Sequence, residues 1–178
     1  DQYDPQWLDH LFLSGQAMWA RLRPPRREQE NGPSMAAMTR TVPISLLMRE
    51  DLGWLLPTDR PSAEAFVRSG GQLVLETLSS RGALFFQELL SRTELLPGHL
   101  EEALRELAAL GLITSDSFAA VRAIIEGRRK RGKSRRRRGR KRKLSPSTPP
   151  AGRWSLFPGE IEPPPREAYL EQWCRQLL

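Results

Sequence analysis

A block of positive charge, which we call the basic run, limits most strongly what this chain can fold into. Of the 16 residues in 128–143, 13 are Lys or Arg and none is acidic. The residues that follow, up to 150, are rich in Pro and Ser. Neither part has the apolar side chains that could offset the entropy lost on folding, so the sequence predicts a disordered basic linker over 128–150. Folded structure is expected on either side of it.

The charge of the remaining chain has the opposite sign. The whole chain of 178 residues has a net charge of +7, but without the 13 basic residues of the run, 15 basic residues stand against 21 acidic ones, a net charge of −6. The sequence therefore predicts an acidic body of one or two small globular units that carries one basic segment. A uniformly basic nucleic-acid binder is excluded.

Cysteine and histidine are too few for several kinds of site. One Cys and two His exclude an intrachain disulfide and the usual Cys/His zinc sites. No nucleophile arrangement or carboxylate pair suggests catalysis either, so we predict no catalytic residue and no metal ligand. The composition suits a reducing compartment. No stretch approaches the roughly 18 apolar residues of a membrane-spanning helix, and we expect no membrane partner.

Residues 1–60 are predicted to form a helix followed by a β-hairpin. Asp4 and Pro5 are typical of a helix start, and Ser14-Gly15 interrupts the helical pattern. Residues 17–23 could extend the helix or form a strand; we favour a strand that pairs with 41–48 across a flexible loop at 24–40. This segment could belong to a β-barrel or to a second winged helix. The five Trp residues of the chain, about one per predicted element, are expected to anchor the core.

Residues 61–127 have the outline of a winged helix-turn-helix domain. The pattern predicts a helix over 61–80 with some interruption at Gly70-Gly71, a short helix near 85–90, a third helix over 99–110 and a short strand at 112–114, and then a strand or helix over 118–126. Residues 151–178 are predicted as a strand followed by the amphipathic start of a further helical module. The predicted fold class is therefore α+β, mostly α.

The third helix would be the recognition helix of a winged helix that reads DNA. Its expected solvent face carries Glu101, Glu102, Arg105 and Glu106, with a net charge of −2. Such a face repels phosphates, so we expect the helix to pack on another domain or to face water rather than to enter a groove of DNA.

The basic run itself has three interpretations: a site that binds phosphate backbones, a nuclear import signal, or a solvated linker without a role. Backbone binding is favoured, because blocks of like charge are often interaction tails. The candidate DNA-binding residues are Arg128, Arg129, Lys130, Arg131, Lys133, Arg135, Arg136, Arg137, Arg138, Arg140, Lys141, Arg142 and Lys143.

Residues 127–134 also match the nucleotide-binding pattern G-x-x-x-x-G-K-S. That chemistry needs a preceding strand and a following helix, and a run of arginines follows here instead. We interpret the match as a coincidence of composition.

Six sequence blocks occur in a fixed order: YDP…WLD (3–9), LSG…WARL (13–22), VPI…REDL…WLL (42–56), RGALFF…EL (81–89), LLP…LEEAL…EL…GLITSD…F (95–118) and GRWSL (152–156). Together they resemble the C-terminal extension of the bacterial Lhr (large helicase-related) proteins. Only 24–40 and 128–150 fall outside the resemblance. The chain begins without Met and ends within a predicted helix, which fits an excerpt of such a parent.

The resemblance implies an ATP-dependent superfamily 2 DNA helicase that acts in DNA repair. Its C-terminal module would consist of winged helices and a β-barrel, resemble AlkZ-type DNA glycosylases and be associated with uracil-DNA excision. ATP and Mg²⁺ would bind in helicase domains outside this segment, which itself would hold no cofactor. Expected partners are DNA, through weak backbone contacts, and other domains of the same parent, with a homo-oligomer of the parent left open. The expected location is the bacterial cytoplasm, at the nucleoid.

Two alternatives remain at this point. The chain could be a free-standing winged-helix regulator with a basic tail, which would prefer certain DNA sequences. It could also carry glycosylase chemistry itself, although no residue can be assigned to it. The favoured prediction is a scaffold segment that contacts the DNA backbone and is not catalytic by itself.

Overall fold

The fold of the chain is α+β and mostly helical, as predicted. The computed structural model describes residues 4–24, 43–56, 67–123, 152–158, 161 and 164–177. Within these residues, no helix is long and apolar enough to cross a membrane. The elements are α1 (Pro5–Leu13), β1 (Ala17–Ala20), β2 (Ser45–Met48), a 3-10 helix (Arg49–Asp51), α2 (Leu52–Leu55), α3 (Ser69–Arg81), β3 (Leu84–Phe85), α4 (Phe86–Thr93), α5 (Pro97–Ala109), β4 (Ile113–Ser115), α6 (residues 118–123), β5 (Arg153–Leu156) and α7 (Arg166–Leu177).

The N-terminal helix and hairpin form as predicted. Asp4 caps α1, since its Oδ1 accepts a hydrogen bond from the backbone N–H of Gln6 at 2.9 Å. After the break that follows Leu13, β1 and β2 pair antiparallel, with Ala17 opposite Met48. The predicted loop at 24–40 lies outside the described residues, apart from Pro24.

Helix α3 differs from the prediction at its start. Val67 and Arg68 are not helical and Gly70 and Gly71 are, so the predicted interruption lies at 67–68 and not at the two glycines; residues 61–66 lie outside the described part. Gly71, in the first turn of α3, is a point of close approach. A Cβ atom there would lie 2.5 Å from Val67 Cγ1 and 3.3 Å from Glu106 Oε2 of α5. Glycine at position 71 therefore leaves room for Val67 and for Glu106 of α5 to lie close to the first turn of α3.

Helices α3, α4 and α5 pack together beside a three-stranded antiparallel sheet of order β3-β5-β4. On β5, Trp154 stands opposite Leu84 of β3 and opposite Ser115 of β4. The middle strand thus comes from the predicted unit 151–178, and its two neighbours come from the predicted unit 61–127. The sheet joins residues from both sides of the basic run.

The hairpin and the three-stranded sheet share one core. Trp19 of β1 packs edge-on against Trp154 of β5 with ring centroids 6.3 Å apart, and both side chains are fully buried. Thr114 Oγ1 donates a hydrogen bond to the Trp19 carbonyl at 2.7 Å. The buried guanidinium of Arg21 donates to the carbonyl of Ala109 at the C-terminus of α5. Burial lowers the pKa of Arg21, and its contact with a helix C-terminus is one that favours a cation.

The expectation that every Trp anchors the core is confirmed for three of the five Trp residues and wrong for the other two. Trp19, Trp54 and Trp154 are buried, whereas Trp7 is 56% exposed and Trp173 is 42% exposed. Trp173 lies on α7 and contacts Trp54 with ring centroids 5.8 Å apart. Helical spacing alone does not tell a fully packed face from one that is only partly covered.

Candidate nucleic-acid interface

The candidate DNA-binding residues of the basic run, 128–143, lie outside the described residues, and so does the nucleotide-binding pattern at 127–134. The assignment of these 13 basic residues to DNA contact therefore stays a prediction. The structure describes the chain up to residue 123 and again from residue 152.

The described chain stops at residue 123 and resumes at residue 152, where the returning chain contacts the residues that directly follow β4. Gly152 has a φ of +92°, and a Cβ atom there would lie 2.5 Å from Ser117 Cβ and 2.7 Å from Asp116 Oδ1. Only glycine fits this close approach with that backbone conformation. The returning chain is therefore held directly against the residues that follow β4.

An ion pair joins the two strands at this end. Asp116 Oδ1 accepts the backbone N–H of Arg153 at 2.6 Å, and Asp116 Oδ2 accepts Arg153 Nε at 2.8 Å. The backbone N–H of Asp116 in turn donates to the Arg153 carbonyl at 3.2 Å. Three hydrogen bonds between these two residues therefore join β4 to β5 at this end of the sheet.

Helix α6 begins directly after Asp116 and Ser117 and packs against α1. Asp9 of α1 accepts the backbone N–H of Ala119 at 3.2 Å through Oδ1 and pairs with Arg122 at 2.8 Å through Oδ2. The rings of Phe118 and Phe12 stack with centroids 5.8 Å apart. A carboxylate at a helix N-terminus is favourable, and here it also ties α6 to the N-terminal helix.

The face of α5 differs from the sequence prediction. Glu102 is exposed, but Arg105 and Glu106 are only 6% and 5% exposed, so the predicted solvent face of four charges is wrong. Arg105 pairs with Glu101 at 3.0 Å, and Glu106 lies 3.7 Å from Arg68 Nε. Charged residues are buried when they have such partners, and the partner of Glu106 is on another segment of the chain. From Ala103 to Ala109, α5 is buried, which leaves no surface there for a groove of DNA.

Burial raises the pKa of the Glu106 carboxyl, and the Arg68 charge and a hydrogen bond from the Arg68 backbone oppose this only in part. The folded state thus binds the Glu106 proton more tightly than the unfolded chain does. The contribution of Glu106 to stability is full below the ordinary Glu pKa and is lost as pH rises through its raised pKa. We expect Glu106→Gln to remove this loss, so that the variant gains stability relative to wild type as pH rises.

Urea unfolding across a pH series measures this effect. Glu102→Gln is the matched control, because Glu102 is exposed on the same helix, and its pH profile should follow that of the wild type. If the difference between Glu106→Gln and wild type stayed constant with pH, Glu106 would not titrate as inferred.

The structure forms two separate ion pairs, Asp9–Arg122 and Asp116–Arg153, that the sequence did not predict. Asp116 and Arg153 are 37 positions apart, and Asp9 and Arg122 are 113 apart, so no local spacing links them. Within the described residues, no group of three or more His, Cys, Asp or Glu could hold a metal ion. Cys174 is exposed and not in a disulfide.

Comparison with known proteins gives one informative match. The chain is 33% identical over 172 residues to a protein of Mycolicibacterium smegmatis named "Lhr helicase/ probable uracil glycosylase". The match covers 88% of this chain and 10% of that protein, so the chain spans about a tenth of the length of the relative. No protein-family model matches. The resemblance to Lhr proteins noted in the sequence is confirmed.

Proposed function

We propose that this chain is a segment of the C-terminal region of an Lhr-type DNA helicase that acts in DNA repair. The similarity to the mycobacterial protein carries this proposal, because it extends over 88% of the chain at 33% identity. In such a parent, helicase domains would bind ATP and Mg²⁺, and uracil excision would also depend on other parts of the protein. The role proposed for this segment is to support the module and to contact the DNA backbone.

The fold proposed for residues 67–123 and 152–158 is a winged helix. Helix α3, strand β3, helices α4 and α5, strand β4, helix α6 and strand β5 follow in this order, and β5 is hydrogen-bonded between β3 and β4. Three packed helices beside a small antiparallel sheet support this assignment. The basic run lies, in sequence, between α6 and β5. A winged helix does not by itself imply that DNA is read.

The burial of α5 favours contact with phosphates over reading of bases. A recognition helix reads base edges with side chains near its N-terminus. In α5 the exposed side chains of that part include His99 and Glu102, neither of which is permanently positive. The 13 basic residues of the run would instead supply salt-dependent affinity that does not depend on sequence. The competing function, a free-standing regulator, requires base contacts that α5 is poorly suited to make.

We expect the intact chain to bind unrelated DNA duplexes with dissociation constants within about threefold of each other, because phosphate contacts carry no sequence information. Fluorescence anisotropy with short labelled duplexes of several unrelated sequences, at one fixed salt concentration, measures this. The variant His99→Ala/Glu102→Ala is the control for base reading by α5 and should bind as the wild type does. A preference of about 10³ or more for one sequence would instead identify a specific DNA-binding regulator.

A further inference from the structure

Helices α3 and α4 form the walls of an open groove with a volume of about 710 Å³. The side chains on each wall are spaced by three or four residues, as expected for one face of a helix. The α3 wall is formed by Thr77, Ser80 and Arg81, and the α4 wall by Gln87, Ser91 and Arg92, together with Glu88. All of these lining residues are polar or charged, so the groove is not a site for an apolar ligand.

Two arginines in this groove differ from most other arginines of the structure. Arg105, Arg122 and Arg153 each form an ion pair with a carboxylate at 3.0 Å or less. The side chains of Arg81 and Arg92 are exposed and, in the described part of the chain, form neither an ion pair nor a hydrogen bond. They line opposite walls of one groove, on a body that is otherwise acidic. With Glu88 counted, the side chains that line the groove carry a net charge of +1.

The acidic residue of the groove, Glu88, forms no ion pair with Arg81 or Arg92 in the described part of the chain. Glu88 Oε2 accepts the backbone N–H of Phe85 at 2.7 Å, which directs its carboxylate to the N-terminus of α4. The hydroxyls of Thr77 and Ser80 donate to carbonyls of α3, at 2.7 and 3.2 Å. The groups left to donate to a ligand are the two guanidinium groups, together with the Ser91 hydroxyl and the Gln87 amide.

We propose that this groove binds the phosphodiester backbone of DNA, as a second contact in addition to the basic run. The inference rests on the proposed function, since it assumes that the chain engages DNA. Guanidinium groups match phosphate oxygens in charge and geometry, and hydroxyl and amide donors commonly complete such contacts. The groove is open and far larger than one phosphate, which suits an extended backbone better than a free ion. No aromatic side chain lines it, so it positions DNA and does not stack bases.

The test compares Arg81→Gln/Arg92→Gln with Arg23→Gln/Arg166→Gln in the full chain. Arg23 and Arg166 are also exposed and have no ion pair within the described residues, so both variants lose the same charge. Affinity for a labelled duplex is measured across a salt series. Loss of two phosphate contacts should reduce the slope of log K against log salt by about 2 and weaken binding roughly 10- to 100-fold at about 0.1 M salt. The control should keep the wild-type slope.

The possible outcomes separate this inference from the proposed function. Equal slopes for the groove variant and wild type would overturn the inference that the groove binds DNA. Equal losses of affinity in the groove and control variants would do the same, and the basic run would remain as the proposed contact. No DNA binding by the intact chain would overturn both. Arg81→Lys/Arg92→Lys should keep the slope because it keeps the charge. Unchanged thermal unfolding of every variant shows that the fold is intact, as expected for exposed side chains.

Discussion

Replacing Trp154 with alanine is expected to lower the free energy of unfolding by about 3–5 kcal/mol. The side chain is fully buried on β5, the middle strand of the sheet, and packs edge-on against Trp19 at 6.3 Å. Its neighbours belong to several elements that are fixed by their own hydrogen bonds, so they cannot collapse into the cavity that alanine leaves. A loss of this size is a large share of the 5–15 kcal/mol that typically stabilise a domain. Urea unfolding followed by far-UV circular dichroism measures it.

Two further variants separate packing at Trp154 from a general effect of losing an indole. Trp173→Ala removes a side chain that is 42% exposed, and we expect a cost of about 1 kcal/mol or less. Trp154→Phe should cost about 1–2 kcal/mol, because it keeps most of the apolar volume. The Trp154 indole N–H is buried without a hydrogen-bond partner, so phenylalanine loses no such bond. If Trp154→Ala cost no more than Trp173→Ala, β5 would not belong to this core.

The elements that the sequence predicted correctly are those with local signals. Asp4 and Pro5 mark the start of α1, and the flexible loop predicted at 24–40 separates the two strands that pair as β1 and β2. The third helix was predicted at 99–110 and is found at Pro97–Ala109. In each case the side chains that decide the structure are neighbours in the sequence, so a short window contains the necessary information.

The position of β5 had no such signal. Its partners, Leu84 and Ile113, are far from it in sequence, and register between distant strands depends on the packed sheet. The composition predicted a linker at 128–150, yet β4, before it in the sequence, and β5, after it, belong to the same sheet. A change in composition marks a segment that cannot form a core; it does not tell whether the flanking segments belong to one fold or two.

Exposure on α5 was mispredicted for a similar reason. Charged residues at helical spacing indicate a solvent face, but Arg105 and Glu106 are buried because Glu101 and Arg68 provide partners. The arginines of the α3–α4 groove are the opposite case. Arg81 and Arg92 are isolated charges in the sequence, and only the packing of two helices brings them to one groove. Local patterns therefore do not determine which charges are available to a ligand.

Replacing all 13 basic residues of the run with glutamine, at unchanged length, is expected to remove most of the affinity of the chain for DNA. If about 6–10 of these side chains contact phosphates, the affinity of the intact chain should fall by about 10³–10⁵ between roughly 50 and 200 mM salt. The neutralised variant should bind weakly and keep only the salt slope of about 2 that is expected from the two groove arginines. Fluorescence anisotropy with a labelled duplex across this salt range measures both.

The matched control replaces every arginine of the run with lysine, which keeps the charge and should keep the salt dependence, because counterion release depends on charge more than on geometry. The neutralised variant should also unfold like the wild type. Asp116 and Arg153 join β4 to β5 through hydrogen bonds that involve no residue of the run. Lost binding in a folded variant would therefore assign the contact to the charges of the run. Sequence-selective binding that survives neutralisation would mean instead that the folded body reads DNA, despite the buried face of α5.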